Sequence, residues 1–219
     1  VGGGGPPAVP PGGLGDLGAD TRVVAADSGL EGARRLGLDV DVVVGDMDSV
    51  DPDVLGAAVA AGVPVERHPE AKDATDLDLA LDVALARRPR PGRLVVVTGP
   101  GDRFDHALAV ALALASPRYR DVAVEAWIGP AHLWVVRTTA TLRGEPGALV
   151  SLLPALGPVS GVTTTGLLYP LTGEDLAAGT TRGVSNEMAG VEATVSVGSG
   201  VLLAVMPGQQ GTHWRRTAP

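Results

Sequence analysis

Val40-Asp41-Val42-Val43-Val44-Gly45-Asp46-Met47-Asp48-Ser49 decides the fold. A Val-rich run this short, closed by glycine and an acidic turn, suits a strand covered on both faces, as in a parallel sheet. The same pattern repeats on either side. Upstream, Val23 to Ala26 reads as a buried strand that stops at Asp27-Ser28-Gly29, with a short helix over Leu30 to Leu36. Downstream, Pro52 stands where a first helical turn tolerates proline, and Val54 to Ala61 continues that helix. Val63 to Glu66 is a further strand. Thr75 and Asp78 form a variant capping box, after which Leu77, Ala80, Leu81, Ala84 and Leu85 recur at helical spacing. Leu94 to Val97 is the next strand, running into Thr98-Gly99-Pro100-Gly101, and Phe104 to Ala115 reads as an apolar helix. Strand, turn and helix in alternation predict a Rossmann-like, doubly wound α/β domain, in which ligands bind beyond the carboxyl ends of the strands. The polar clusters fall at those ends.

After Ser116-Pro117 the pattern changes. Val122 to Ile128, Leu133 to Arg137, Ala148 to Leu153, Val159 to Thr165, Val191 to Val197 and Val201 to Met206 are short, β-branched and separated by glycine or proline. They predict an antiparallel sandwich or barrel, with Gly198-Ser199-Gly200 joining the last two strands as a hairpin.

Composition narrows the function. The 219 residues are 45% hydrophobic and 19% charged, the profile of a folded globular chain; with aromatics at 3%, the core must be built from Val, Leu and Ala. A formal charge of -8 leaves no basic field for a nucleic-acid backbone. An acidic protein that handles phosphates needs a divalent cation between its carboxylates and the ligand. The absence of cysteine excludes disulfides and thiolate chemistry. The longest apolar run, Ala107 to Ala115, falls far short of the ~20 residues that span a bilayer. The opening VGGGGPPAVPP lacks a signal-peptide pattern, so the expected location is the cytoplasm, with no membrane partner.

Three clusters carry chemistry. Side chains two apart on a strand share a side, so Asp46 and Asp48 converge on one cation if extended geometry continues into the turn; otherwise they belong to a surface turn that caps the next helix. Lys72-Asp73-Ala74-Thr75-Asp76 stands at a helix start, where carboxylates either cap the helix or approach a metal. Lys72 is the single lysine of the chain and suits a phosphate contact. In Gly99-Pro100-Gly101-Asp102-Arg103-Phe104-Asp105-His106 the glycines permit close backbone approach and Arg103 can fork onto phosphate oxygens, while His106 is either a hydrogen-bonding group at the helix start or a base. Neither a Walker-type loop nor a full dinucleotide fingerprint is present.

In this order, the clusters resemble the thiamin pyrophosphokinase family. The resemblance begins at the turn Gly2 to Pro7. It runs through Ala26-Asp27-Ser28-Gly29, Gly45-Asp46-Met47-Asp48-Ser49, Lys72 to Asp76 and Arg103-Phe104-Asp105-His106, and resumes with Thr164 to Leu171 and Arg182-Gly183-Val184-Ser185-Asn186-Glu187. It implies an α/β ATP-binding catalytic domain over residues 1–119, a thiamin-binding β-sandwich over 120–208, and a flexible tail over 209–219. It further implies a homodimer with shared active sites, and transfer of a diphosphate from ATP to the hydroxyl of thiamin. By motif position, Asp46, Asp48, Asp73 and Asp76 are the Mg2+ acids. Asp27, Ser49, Lys72, Thr75, Arg103, Asp105 and His106 contact ATP, with Arg103 also catalytic, and Tyr169, Ser185 and Asn186 face thiamin. Met47, Val110 and Ser28 depart from the family pattern, which usually has an aromatic residue, asparagine and glycine there. Two alternative readings stand beside it: a related pyrophosphokinase for another hydroxymethyl heterocycle such as a pterin, and a non-catalytic nucleotide or thiamin sensor on the same scaffold.

Overall fold

Strands β1 (Val24–Ala26), β2 (Val42–Gly45) and β3 (Val65–Arg67) lie parallel, in that order, in a computed structural model that describes residues 1–10, 13–69, 73–99, 101 and 103–208. Side chains alternate across this sheet, and both faces are apolar because helices cover both. On one face Ala25 and Val43 pack with Leu30 of α1 (Gly29–Arg35), with Met47 and Val50, and against Val54, Leu55 and Ala58 of α2 (Pro52–Ala60). On the other, Ala26 and Val44 meet Leu79, Ala80 and Val83 of α3 (Asp76–Ala86). Pro52 takes the first helical position of α2, with Asp51 capping it by accepting from the Asp53 and Val54 N–H groups at 2.8 and 3.3 Å.

The fourth strand expected for this sheet, β4 (Arg93–Thr98), does not pair with β1–β3. Residues 1–4 lie between. Val1 accepts from the Ala26 N–H at 2.7 Å, Gly2 donates to the Val97 carbonyl at 2.7 Å, and Gly99 donates to the Gly3 carbonyl at 3.1 Å. Glycine is required here because backbones touch: a Cβ on Gly99 would lie 2.3 Å from the Gly4 oxygen, and one on Gly29 1.9 Å from the Val1 oxygen.

Two compact units form: Val1–Ala107 with Ala126–Gly129, and Leu108–Glu125 with the residues from Pro130 onward. Helix α4 (Phe104–Leu114) and strand β5 (Ala123–Ile128) each contribute residues to both. The second unit is an antiparallel, curled sheet. Its strands β6 (Ala131–Val136), β7 (Thr139–Arg143), β8 (Leu149–Thr165), β11 (Glu192–Ser196) and β12 (Ser199–Met206) follow the order β6-β12-β8-β11-β7. Short strands β9 (Glu174–Leu176) and β10 (Asn186–Glu187) attach to β8. The core draws Val136, Leu142, Leu152, Val162, Leu176, Val195 and Leu202, among others, from six of these strands.

Two sequence expectations change here. The hairpin at Gly198-Ser199-Gly200 does not form, because β8 lies between β11 and β12 and pairs with both. Gly198 instead donates to the Ser160 carbonyl at 2.8 Å, and a Cβ on Gly200 would lie 2.6 Å from the Pro158 oxygen, so the linking turn crosses the β8 backbone. The runs Ala148 to Leu153 and Val159 to Thr165 are one strand. Pro154, Gly157 and Pro158 read as breakers, but a bulge with Leu156 at φ 61 absorbs them without ending the pairing. Lys72 and the tail over 209–219 lie outside the described residues.

Candidate active site

The register Ala26↔Val44 places the two strand ends of β1 and β2 side by side, so the next residues, Asp27 and Gly45, are neighbours. Asp27 adopts φ 49, uncommon for a residue with a side chain, while its N–H donates to the Val44 carbonyl at 2.9 Å. Asp46 follows Gly45. Asp76 opens α3, where Thr75 caps the helix and completes the box predicted with Asp78: its hydroxyl accepts from the Asp78 N–H at 3.1 Å, and its own N–H donates to the Asp78 carboxylate at 3.3 Å. A carboxylate oxygen from each of Asp27, Asp46 and Asp76 lies within 4.8 Å of the other two. Gly45 makes this approach possible. Its φ is 146, and a Cβ there would lie 2.9 Å from Asp76 Oδ1 and 3.3 Å from the Asp27 Cβ.

Crowded carboxylates repel by roughly 3–4 kcal/mol per ionised pair at these separations and an effective dielectric of about 20. Asp27 is the buried member, and its Oδ1 has no hydrogen-bond partner among the described residues. Burial pushes its carboxyl above the usual aspartate value. The charges of Asp76 and Asp48 push the same way, against the Ser28 N–H and the Ser49 hydroxyl, which favour the carboxylate. A buried acceptor without a donor, in an all-oxygen donor set whose members lie within 4.8 Å of one another, fits a hard divalent cation.

The four acids grouped from the sequence do not gather as one set. Asp46 and Asp76 converge, with Asp27 as their third member, while Asp48 and Asp73 are solvent-exposed outside the trio. Extended geometry stops at Met47, whose φ is 69, so Asp46 and Asp48 do not project alike. Instead the Asp48 N–H donates to Asp46 Oδ1 at 3.2 Å, closing an Asx-type turn, and Asp48 accepts from the Ser49 hydroxyl at 2.7 Å. The signal that would have added Asp27 is its place at the end of the strand next to Asp46.

Around these acids the backbone is glycine-lined. A Cβ on Gly3 would lie 2.4 Å from the Ser28 hydroxyl, and Gly101 donates to the Gly4 carbonyl at 2.9 Å. Arg103 and Asp105 form a two-pronged ion pair, with Nε to Oδ1 at 3.2 Å and Nη2 on Oδ2. That bonding raises the guanidinium's already high value and lowers Asp105 below the usual carboxylate range. Both side chains are exposed, as is His106 in the first turn of α4.

In the second unit, Tyr169 is 55% exposed and Ser185 adopts φ 61. Asn186 is buried. Its Oδ1 accepts from the Tyr169 and Glu187 N–H groups at 3.0 and 2.9 Å, and its Nδ2 donates to the Tyr169 carbonyl at 2.6 Å.

Clustered acids and a glycine-lined backbone at the carboxyl ends of parallel strands are the layout of an α/β protein whose ligand site lies beyond its strand ends. Family comparison sharpens this. The model described as thiamin pyrophosphokinase, catalytic domain, matches residues 17–126, and that described as thiamin pyrophosphokinase, vitamin B1 binding domain, matches residues 139–202. The chain belongs to the thiamin pyrophosphokinase family. A thiamine pyrophosphokinase of Bacillus subtilis (strain 168) is 27% identical over 163 residues, 74% of this chain and 75% of that protein. Among solved structures, the thiamin pyrophosphokinase of Geobacillus thermodenitrificans is 30% identical with a TM-score of 0.73, covering 96% of this chain and 97% of that one. The thiamine pyrophosphokinase of Bacillus subtilis superposes with a TM-score of 0.78 at 24% identity, covering 95% and 98%.

Proposed function

We propose that this chain is a thiamin diphosphokinase that moves a diphosphate group from ATP to the hydroxyl of thiamin on the acids gathered around Gly45. The observation that carries the reading is that family models for the catalytic and the vitamin B1 binding domains match successive parts of the same chain. On this reading residues 1–119 are the Rossmann-like ATP-binding catalytic domain and 120–208 the sandwich-type thiamin-binding domain. An enzyme fed by ATP belongs in the cytoplasm, and no described helix is long and apolar enough to cross a membrane. Its net charge of -8 gives a nucleic acid nothing to bind.

The hydroxyl oxygen of thiamin bonds to the β-phosphorus of ATP and loses its proton, the bond from that phosphorus to the α–β bridging oxygen breaks, and AMP departs. Such transfers need in-line positioning and compensation of phosphate charge more than a strong base. Asp27, Asp46 and Asp76 would hold Mg2+, whose partnerless Asp27 oxygen and all-oxygen surroundings suit it. Bound there, the ion would offset negative charge on the phosphates and fix their orientation. Asp48 and Asp73 contribute as outer acids, and the charge of Asp48 already acts on Asp27. Ser49, Thr75, Asp105 and His106 border the nucleotide, with Lys72 assigned to it by motif position. Arg103 turns its fork from Asp105 to the transferring group, since a solvent-exposed ion pair is weakly held and easily exchanged. Tyr169 and Ser185, with Asn186 behind them, form the thiamin wall.

The enzyme works as a homodimer with shared active sites. Its support is the stripe Phe104, Leu108 and Leu112 on α4, exposed at 79%, 46% and 41%. Magnesium-dependent AMP release, assayed with thiamin and with a hydroxymethylpterin in parallel, tests the reading. Turnover with thiamin alone supports it, turnover with the pterin alone reassigns the substrate, and binding without turnover makes the chain a sensor.

A further inference from the structure

Segment 166–171 leaves the end of β8 and runs antiparallel to residues 186–189. Leu168 donates to the Glu187 carbonyl at 2.9 Å, Ala189 donates to the Gly166 carbonyl at 2.9 Å, and Leu167 bridges Met188. Backbone pairing ends there. Tyr169 precedes Pro170, which has no N–H to offer and which holds the residue before it extended. In place of a strand, the Asn186 side chain takes both polar groups of the Tyr169 backbone, its carboxamide acting as a peptide would. The donor at Tyr169 N and the acceptor at Tyr169 O fix which end of the carboxamide is oxygen and which is nitrogen. At the far end, Thr164 holds Leu171 twice, its hydroxyl accepting from the Leu171 N–H at 2.9 Å and its own N–H donating to the Leu171 carbonyl at 2.9 Å. Leu167 and Leu171 are buried, whereas Leu168 and Tyr169 between them are 51% and 55% exposed. A loop with two apolar side chains facing solvent is thus pinned at both ends by buried polar groups.

We infer that Asn186 is a positioning residue that acts on thiamin through Tyr169, rather than a ligand of thiamin itself. Its acceptor oxygen is filled by two N–H groups and one amide hydrogen by the Tyr169 carbonyl, so what it determines is where the Tyr169 ring stands. The inference rests on the reading that Tyr169 borders thiamin. Asn186→Asp keeps the shape and both accepted bonds but replaces the donor with an oxygen facing the Tyr169 carbonyl.

Steady-state kinetics of Asn186→Asp, Asn186→Ser, Tyr169→Ala and the corresponding double variants test it. Thiamin KM rises on the order of tenfold or more in each single variant while ATP KM stays at the wild-type value, since misplacing a positioned group by about 1 Å costs that much or more. The double variants are no worse than Tyr169→Ala alone. Additive losses would make Asn186 a direct ligand, and equal changes in both KM values, or a lower melting temperature with unchanged thiamin KM, would make it merely structural; each overturns the inference. A wild-type thiamin KM in Tyr169→Ala removes Tyr169 from the substrate wall and this inference with it, whereas the diphosphotransfer itself stands or falls on product identity.

Discussion

At the scale of single residues, the site is defined by which carboxylates meet. Asp46 and Asp76 were legible from the sequence because each stands at an element boundary beside other acids. The sequence marks Asp27 only as a nucleotide contact, since its place beside Asp46 and Asp76 depends on the pairing of β1 with β2, which no local spacing reveals. Asp48 does not project with Asp46, because period-two alternation holds only within a strand and β2 ends at Gly45, with Met47 left-handed two residues on. Different penalties follow for substitutions that look equivalent in sequence. Asp27→Asn or Asp76→Asn removes a member of the trio, and kcat falls on the order of 100-fold or more, whereas Asp48→Asn falls by less. Rates measured across a magnesium titration check this, and an Asp48→Asn loss as large as that of Asp27→Asn would contradict the geometry.

At the scale of elements, the α/β half was readable because valine runs, a first-turn proline and a capping box each have a local cause, and each lies where expected. What was not readable is how residues 1–4 mediate between β1 and β4, since a glycine run carries no strand signal. The β half was less legible for the same kind of reason. β8 contains two prolines and two glycines that mark breaks locally, yet its pairing partners carry the strand through them. Asp41 illustrates how the elements are held. Its carboxylate accepts from the Val23 N–H at 2.8 Å and from Arg22, and its own N–H donates to the Val23 carbonyl at 2.9 Å, fixing the start of β1 against β2. Burial would raise its value, but the Val23 and Arg22 contacts outweigh it and the carboxyl is lowered. A lowered carboxyl contributes stability that is present above its unfolded value and is lost as pH falls through the folded one. Asp41→Asn therefore costs about 1 kcal/mol near pH 7, and the difference from wild type shrinks in acid below the ordinary aspartate value. Denaturant melts at both pH values read it directly.

For the whole molecule, the chain divides into two compact units, one holding the parallel strands β1–β3 with their helices and one built on antiparallel strands. Helix α4 reads from the sequence as an apolar helix, yet only Leu114 among its residues is buried. Its apolar stripe is consistent with the proposed dimer. Sedimentation is expected to give twice the chain mass, and Leu108→Glu with Leu112→Glu shifts the species to monomer with loss of turnover. A monomeric wild type with full activity would remove the shared-site proposal and leave the chemistry untouched. That chemistry is tested most directly by incubating the protein with thiamin, ATP and magnesium and identifying both products. AMP and thiamin diphosphate in equal amounts are the expected result; ADP with thiamin monophosphate would contradict transfer of an intact diphosphate group.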